Sequence, residues 1–289
     1  MSTPWDGRAE YLSKSRTVWF NDDYLQMLVN SAWRIGHAIR VADFGCGTGF
    51  LHDALMPHFP AGSAYTGYDA SPALIEEAQR RAGDAAEFIC CDLLETAIPQ
   101  QFDVVICQAL LMHIPQPERM LQRMIDAAVP GGLVICVEPN WNITNASIYV
   151  DGLDIDGSNL GLLAKLWSAE RARGGPDKCV GTKVPAMMRR LGLRQVGVRM
   201  NDCTRLADPA GGPEEYRRQR EALRADGPGG DPGEEEAFVQ GLLARGLTEG
   251  EARLQYTCEK ELHGHLSAHE EDFLMLWHPG LLISFGRKA

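Results

Sequence analysis

Residues 41–50 read Val-Ala-Asp-Phe-Gly-Cys-Gly-Thr-Gly-Phe: an apolar run, an acid, three alternating glycines, and then a helical stretch from Phe50 to His58. A strand, a glycine turn and a helix in that order make the opening βα unit of a parallel sheet. The glycines let the backbone reverse tightly and approach a ligand closely. Outward from this stretch the alternation repeats. Ala64 to Tyr68 is a second strand ending at Asp69, after which Ser71-Pro72 offers an N-cap and a proline at the first helical position, with Gly83 as the stop. Glu87 to Cys90 is a third strand running into Asp92, and Phe102 to Cys107 a fourth. A helix from Pro117 to Ala128 leads through Pro130-Gly131-Gly132 to a fifth strand, Leu133 to Val137. Near-continuous apolar strands separated by helices must be covered on both faces, which predicts an α/β, doubly wound, Rossmann-like sheet.

The flanks carry weaker patterns. Tyr24, Leu28 and Ser31, with Leu25, Val29, Ala32 and Trp33, recur at helical spacing, so residues 1–38 are expected to form a helical cap on the 39–138 core. Residues 139–289 are expected to complete one continuous domain. Helices are predicted at 159–173 and 184–191, a strand at 195–200, helices at 214–224, 234–246 and 248–266, and a closing strand at 281–285. The Pro-, Gly-, Arg- and Glu-rich stretch 207–236 reads as an excursion within a helical insertion before the last strand.

Composition narrows the function. In 289 residues, 39 acids stand against 28 Lys+Arg, a net charge of −11, which disfavours nucleic acid as a partner because phosphate binding needs a positive footprint. No apolar run approaches the roughly 20 residues of a membrane helix, and the first residues lack the pattern of a signal peptide. The eight cysteines include no C-x-x-C pair and sit mostly in apolar runs such as Ile106-Cys107 and Ile135-Cys136, so they read as reduced packing residues in a cytoplasmic protein.

A dinucleotide fingerprint, G-x-G-x-x-G, is the competing reading of the glycine loop. Here the position that wants Gly or Ala holds Phe50, and Asp43 would repel a pyrophosphate while favouring an ammonium group. NAD is therefore disfavoured. The stretches V-A-D-F-G-C-G-T-G-F, Y-T-G-Y-D-A-S, E-F-I-C-C-D-L-L, F-D-V-V-I-C-Q-A-L-L-M-H-I-P-Q-P-E and P-G-G-L-V-I-C-V-E-P, in that order from Val41 onward, resemble the class I S-adenosylmethionine (SAM)-dependent methyltransferases. The resemblance implies a seven-stranded sheet whose last strand is antiparallel, SAM as cofactor and S-adenosylhomocysteine as product. It implies that Asp43 and the backbone of Gly45, Cys46 and Gly47 hold the methionine end, and that Asp69 accepts from the ribose hydroxyls. Asp92 would bond the adenine amino group while Ala70 and Leu93 pack on the ring. Gln108-Ala109 would place a carbonyl near the SAM amino group, and Tyr11 and His113 complete the implied contacts.

His113, in an H-x-P context, is read either as a general base toward the acceptor or as a residue that only packs beside SAM. The acceptor is expected to be a small molecule methylated at N, O or S, in secondary metabolism, and bound through Trp19, Asn140 and Trp141. The segments that would cover the methyl group are residues 1–30 and 139–280. The alternative is a SAM-binding protein without turnover. Cys258, His263, His265 and His269 cluster in sequence, but H-x-H-x-x-x-H among four glutamates matches no standard zinc pattern, so no metal is expected. The chain is expected to be a monomer or homodimer that touches neither nucleic acid nor membrane.

Overall fold

The computed structural model describes residues 7, 12, 19–153, 160–226 and 229–289. Contacts divide the chain into two compact units. Unit 1 comprises residues 1–140, 179–202 and 281–289, and unit 2 comprises 141–178 and 203–280.

Unit 1 is built on a sheet of β1 (Arg40–Phe44), β2 (Ala64–Asp69), β3 (Glu87–Cys90), β4 (Phe102–Gln108), β5 (Ala128–Pro139), β7 (Arg194–Met200) and β10 (Leu281–Arg287). Its order is β3-β2-β1-β4-β5-β10-β7. The first five strands pair in parallel, and β10 runs antiparallel between β5 and β7. This is the α/β doubly wound sheet read from the sequence, with the closing strand reversed as the resemblance implies. From β1 the chain winds to β2 and β3 on one side and to β4 and β5 on the other. The carboxyl ends of β1 and β4 thus flank a topological switch point, where open sheets of this kind hold ligands.

Helices cover both faces. Ala42, Phe44, Val105, Cys107, Val134 and Cys136 alternate onto one face and join Leu121 and Met124 of α4 (Pro117–Ala127) and Val184 and Met188 of α7 (Val184–Arg190) in the core. Ile106 and Ile283 meet Leu25, Leu28, Trp33 and Leu55 on the other. α1 (Asp22–Met27) continues into a π turn over Leu28–Ala32 and carries the predicted apolar stripe, while most of residues 1–18 of the predicted cap lie outside the described residues. α2 (Phe50–Leu55) and α3 (Pro72–Ala82) follow β1 and β2. Ser71 caps α3, its hydroxyl accepting from the Leu74 amide at 3.3 Å.

The sequence suggested one continuous domain, with 139–289 extending the core. In the structure, much of that stretch has its own sheet and its own core instead. Unit 2 contains α5 (Trp141–Ala146), β6 (Tyr149–Val150), α6 (Leu160–Ala172), β8 (Arg205–Ala207), α8 (Pro213–Asp226), α9 (Glu235–Arg245), α10 (Glu249–Ala268) and β9 (Met275–Trp277). Its sheet runs β6-β9-β8, and Leu166, Val239, Leu242, Leu247 and Ala252 bury one another. Thr248 and Glu251 form a capping box that starts α10. Among the described residues no helix is long and apolar enough to cross a membrane.

Candidate functional site

A pocket of about 300 Å³ lies at the switch point within unit 1. The loop after β1 forms its floor. The amides of Gly45 and Cys46 both donate to the Tyr68 carbonyl of β2, at 2.7 and 3.0 Å, which turns the chain sharply. Gly45 and Gly47 sit at φ 74° and 55°, the left-handed region in which a side chain is strained. Among the described residues, a Cβ built on Gly47 would meet only Leu12 Cδ1, at 3.6 Å.

Asp69 ties this loop to the next. One carboxylate oxygen accepts from the Gly47 amide at 2.9 Å and the other from the Ser71 amide at 2.9 Å. A carboxylate offers about four acceptor sites, more than these two amides use. Asp92 lies exposed at the rim, its carboxylate turned by a bond from the Leu94 amide at 2.8 Å. Leu74, Leu93, Leu94 and Met120 supply apolar wall. Gln108 also lines the pocket, only 4% exposed, and both polar atoms of its amide are buried without a partner among the described residues. A buried amide with nothing to bond points to a ligand bearing both donor and acceptor groups. Adenine in the apolar slot, ribose on Asp69 and an amino-acid head at Gln108 suit these walls. The residues present therefore fit SAM.

The structure brings Gly45, Gly47, Asp69, Ala70, Asp92, Leu93, Gln108, Ala109 and His113 together around this pocket. It places others elsewhere. Asp43 is not among the lining residues: it is 1% exposed, and its carboxylate accepts a short hydrogen bond from the Tyr65 hydroxyl of β2. The acid expected at the methionine end thus sits behind the glycine loop, bonded to the neighbouring strand. Cys46 is likewise buried, its sulfur only 2.8 Å from where a Cβ on Gly67 would lie, and burial pushes its thiol pKa up. Trp19 is buried in unit 1, with its carbonyl accepting from Asn201 Nδ2 at 3.0 Å, and Asn140 is buried at the end of the same unit. Neither lines this pocket. Trp141 belongs to unit 2. Tyr11 lies outside the described residues.

The sequence reading passed over Leu12 and the apolar residues Leu110 and Ile114, which also line the pocket. It also passed over Glu138, at the end of β5. This residue is wholly buried, and its carboxylate accepts from the amides of Leu110, Leu111 and Met112 at 2.9, 2.8 and 3.3 Å. It thereby caps the short turn Leu111–His113 and holds the loop that carries His113. Burial drives its pKa up to about 7 against the downward pull of the three amide bonds and of the Cys107 thiol. Ala109, just before that turn, holds φ 49°, a second strained position at the pocket. The signal for Glu138 was present as an acid at the end of an otherwise apolar strand.

Comparison with known proteins agrees with this arrangement. Residues 41–132 match the family described as methyltransferase domain. The ubiquinone biosynthesis O-methyltransferase of Coxiella burnetii is 38% identical over 106 residues, 35% of this chain and 44% of that protein. Its counterpart in Pseudomonas fluorescens is 30% identical over 148 residues, 48% of this chain and 58% of that protein. The chain thus spans about half the length of the curated relatives it matches. Among solved structures, the methyltransferase held by the Trm112 methyltransferase activator of Haloferax volcanii superposes with a TM-score of 0.54 at 13% identity, covering 99% of this chain and 98% of that one. Phosphoethanolamine N-methyltransferase 2 of Haemonchus contortus, solved with SAM, gives 0.51 at 16% identity over 98% of this chain and 57% of that one. These two likenesses show a shared fold.

Proposed function

We propose, from a chain whose residues 41–132 match the methyltransferase-domain family, that the protein binds SAM and transfers its methyl group to a small molecule. The observation that carries the reading is Asp69: its carboxylate is fixed by the Gly47 and Ser71 amides at the mouth of a switch-point pocket, where a ribose would lie. The apolar wall and the buried Gln108 amide suit the two ends of the same cofactor. The O-methyltransferases among the relatives favour oxygen, among N, O and S, as the acceptor atom. All eight cysteines are reduced thiols, which supports a cytoplasmic setting.

SAM supplies an electrophilic methyl group when bound. The chain's part is to orient it. Asp69 fixes the ribose, Leu74 and Leu93 close the apolar slot, and the glycine backbone of the 45–47 loop leaves room for the head group. Glu138 anchors the 110–112 segment, which sets His113 at the pocket wall. We assign His113 the role of taking the proton from the acceptor hydroxyl. In turnover assays a pH–kcat profile should show an acidic limb, which His113→Gln removes. An identical limb in that variant excludes the role.

Thermal shift tests the cofactor itself. At about 100 times its dissociation constant, SAM should stabilise the protein by roughly 2.7 kcal/mol, while NAD and NADP leave it unmoved. In Asp69→Ala, loss of the ribose bonds should weaken SAM by about 1–3 kcal/mol, roughly 5- to 150-fold, and remove most of the shift. A shift with NAD and none with SAM, or unchanged affinity in Asp69→Ala, overturns the assignment.

A further inference from the structure

Asp92, Leu93 and Leu94 line the pocket from a turn that the chain makes after β3. The turn is closed on itself. The Asp92 carbonyl accepts from the amides of Glu95 and Thr96 at 3.2 and 2.7 Å, and the Asp92 carboxylate from the Leu94 amide at 2.8 Å. Those bonds set the shape of the turn, and α4 supplies the bonds that hold it from outside. Arg123 Nε donates to the Leu93 carbonyl at 3.1 Å, and Nη2 of the same guanidinium donates to the Thr96 carbonyl. Arg119 Nη2 adds a longer bond to the Leu94 carbonyl, at 3.4 Å.

The spacing on α4 explains why one helix can do this. Positions 119, 120 and 123 share a helix face, and Met120, between the two arginines, lines the same pocket. Arg123 differs from the other cations around α4. Arg119 meets Glu95 at 3.5 Å, and Arg190 meets Glu118. Arg123 is half-buried, and among the described residues it pairs with no carboxylate; its printed partners are the two carbonyls. A guanidinium is donor-only and charged, and hydrogen bonds from an ionised donor are roughly twice as strong as neutral ones. One side chain thus holds two points of the turn at once.

We propose that Arg123 is a positioning residue for the base of the cofactor. It sets the 92–96 turn against α4 and so determines how tightly and how selectively the pocket holds adenine. The inference rests on the SAM reading above and adds to it a residue that does not itself line the pocket. Asp69 is fixed by the Gly47 and Ser71 amides, bonds in which the turn has no part, so the effect of Arg123 is confined to the base end.

Calorimetry on the full-length protein with S-adenosylhomocysteine and S-inosylhomocysteine, which differ at the 6-position of the base, tests this. The parent should prefer the adenosyl compound by about tenfold, because Asp92 accepts from its amino group and repels the oxo group that replaces it. Arg123→Ala should bind the adenosyl compound about tenfold more weakly, and its preference should fall to about twofold or less. Arg123→Lys keeps the charge but reaches one carbonyl at a time, so it should recover part of both. A merely structural role would lower the melting temperature of Arg123→Ala and leave the preference at the parent's value. Should Arg123→Ala fail to fold, Arg123→Lys reads the same ratio, expected below the parent's. A folded variant with the parent's affinity and preference, or a parent that binds both compounds equally, overturns the proposal alone. A parent that binds neither compound overturns the SAM reading and this proposal with it.

Discussion

Gly47→Val is expected to abolish SAM binding. Gly47 holds φ 55°, and a β-branched residue there adds roughly 1–2 kcal/mol of backbone strain. Gly47 also lines the pocket, with Leu12 Cδ1 at 3.6 Å as the only neighbour a Cβ would meet among the described residues, so the valine methyls would fill cofactor space. Any backbone shift that relieves the strain would break the bond from the Gly47 amide to Asp69, the residue assigned to the ribose. Together these should lower affinity by more than about 100-fold, which is 2.8 kcal/mol at 1.4 per decade. Calorimetry at concentrations that saturate the parent should show no heat of binding. Circular dichroism should still show the folded sheet, because the strain is small beside a typical stability of about 5–15 kcal/mol. Full-strength binding in this variant would remove the loop from the cofactor site.

Glu138→Ala is expected to be the most damaging single change to stability. It strips an acceptor from three buried or half-buried amides, those of Leu110, Leu111 and Met112. At about 1 kcal/mol or more for each donor left unmet, the loss should exceed roughly 3 kcal/mol. The loop bearing His113 should loosen with it, so SAM affinity falls in whatever protein remains folded. Glu138 also makes stability depend on pH. Its folded pKa of about 7 lies above the ordinary glutamate value of 4.5, so the folded state keeps a proton that the unfolded chain has lost. The stabilisation is therefore fully present below about pH 4.5, declines as pH rises, and is gone above about 7. A 2.5-unit difference corresponds to about 3 kcal/mol. Glu138→Gln keeps one oxygen for the Leu110 and Leu111 amides and cannot ionise. Denaturant unfolding across pH 4.5–8 should show this slope in the parent and its loss in Glu138→Gln. Parallel curves would show that Glu138 does not titrate as its burial requires.

The sheet was legible because its strands are long and apolar on both faces. Val104 to Cys107 and Leu133 to Val137 cannot be surface strands, and the acids and glycines that end them mark the ligand end. Asp69 was legible for the same reason, as the polar terminus of β2. Asp43 was read correctly as a strand-end acid, but its bond to a neighbouring strand was not legible. Its partner is a hydroxyl on the adjacent strand, Tyr65, and cross-strand partnership is set by register rather than by spacing along the chain. Unit 2 was legible as helices and little more. Its strands span two or three residues each, too short for a period of two to show, and its cavity gathers residues from 141 to 277. Glu138 was visible only as an acid where an apolar residue was due.

The reversed strand β10 orders events during synthesis. It lies between β5 and β7, so among the described residues β7 has no strand partner except β10. Residues 203–280, the larger part of unit 2, must leave the ribosome between β7 and β10. Until then β5 and β7 each present an open edge, and both await a partner far along the chain. Sheet closure at that side is a late, long-range step, slow by its loop length and exposed to intermolecular pairing while it waits. The nascent chain should therefore rely on chaperones most while unit 2 is being made, and substitutions that slow the folding of unit 2 should lower yield through aggregation of unit 1.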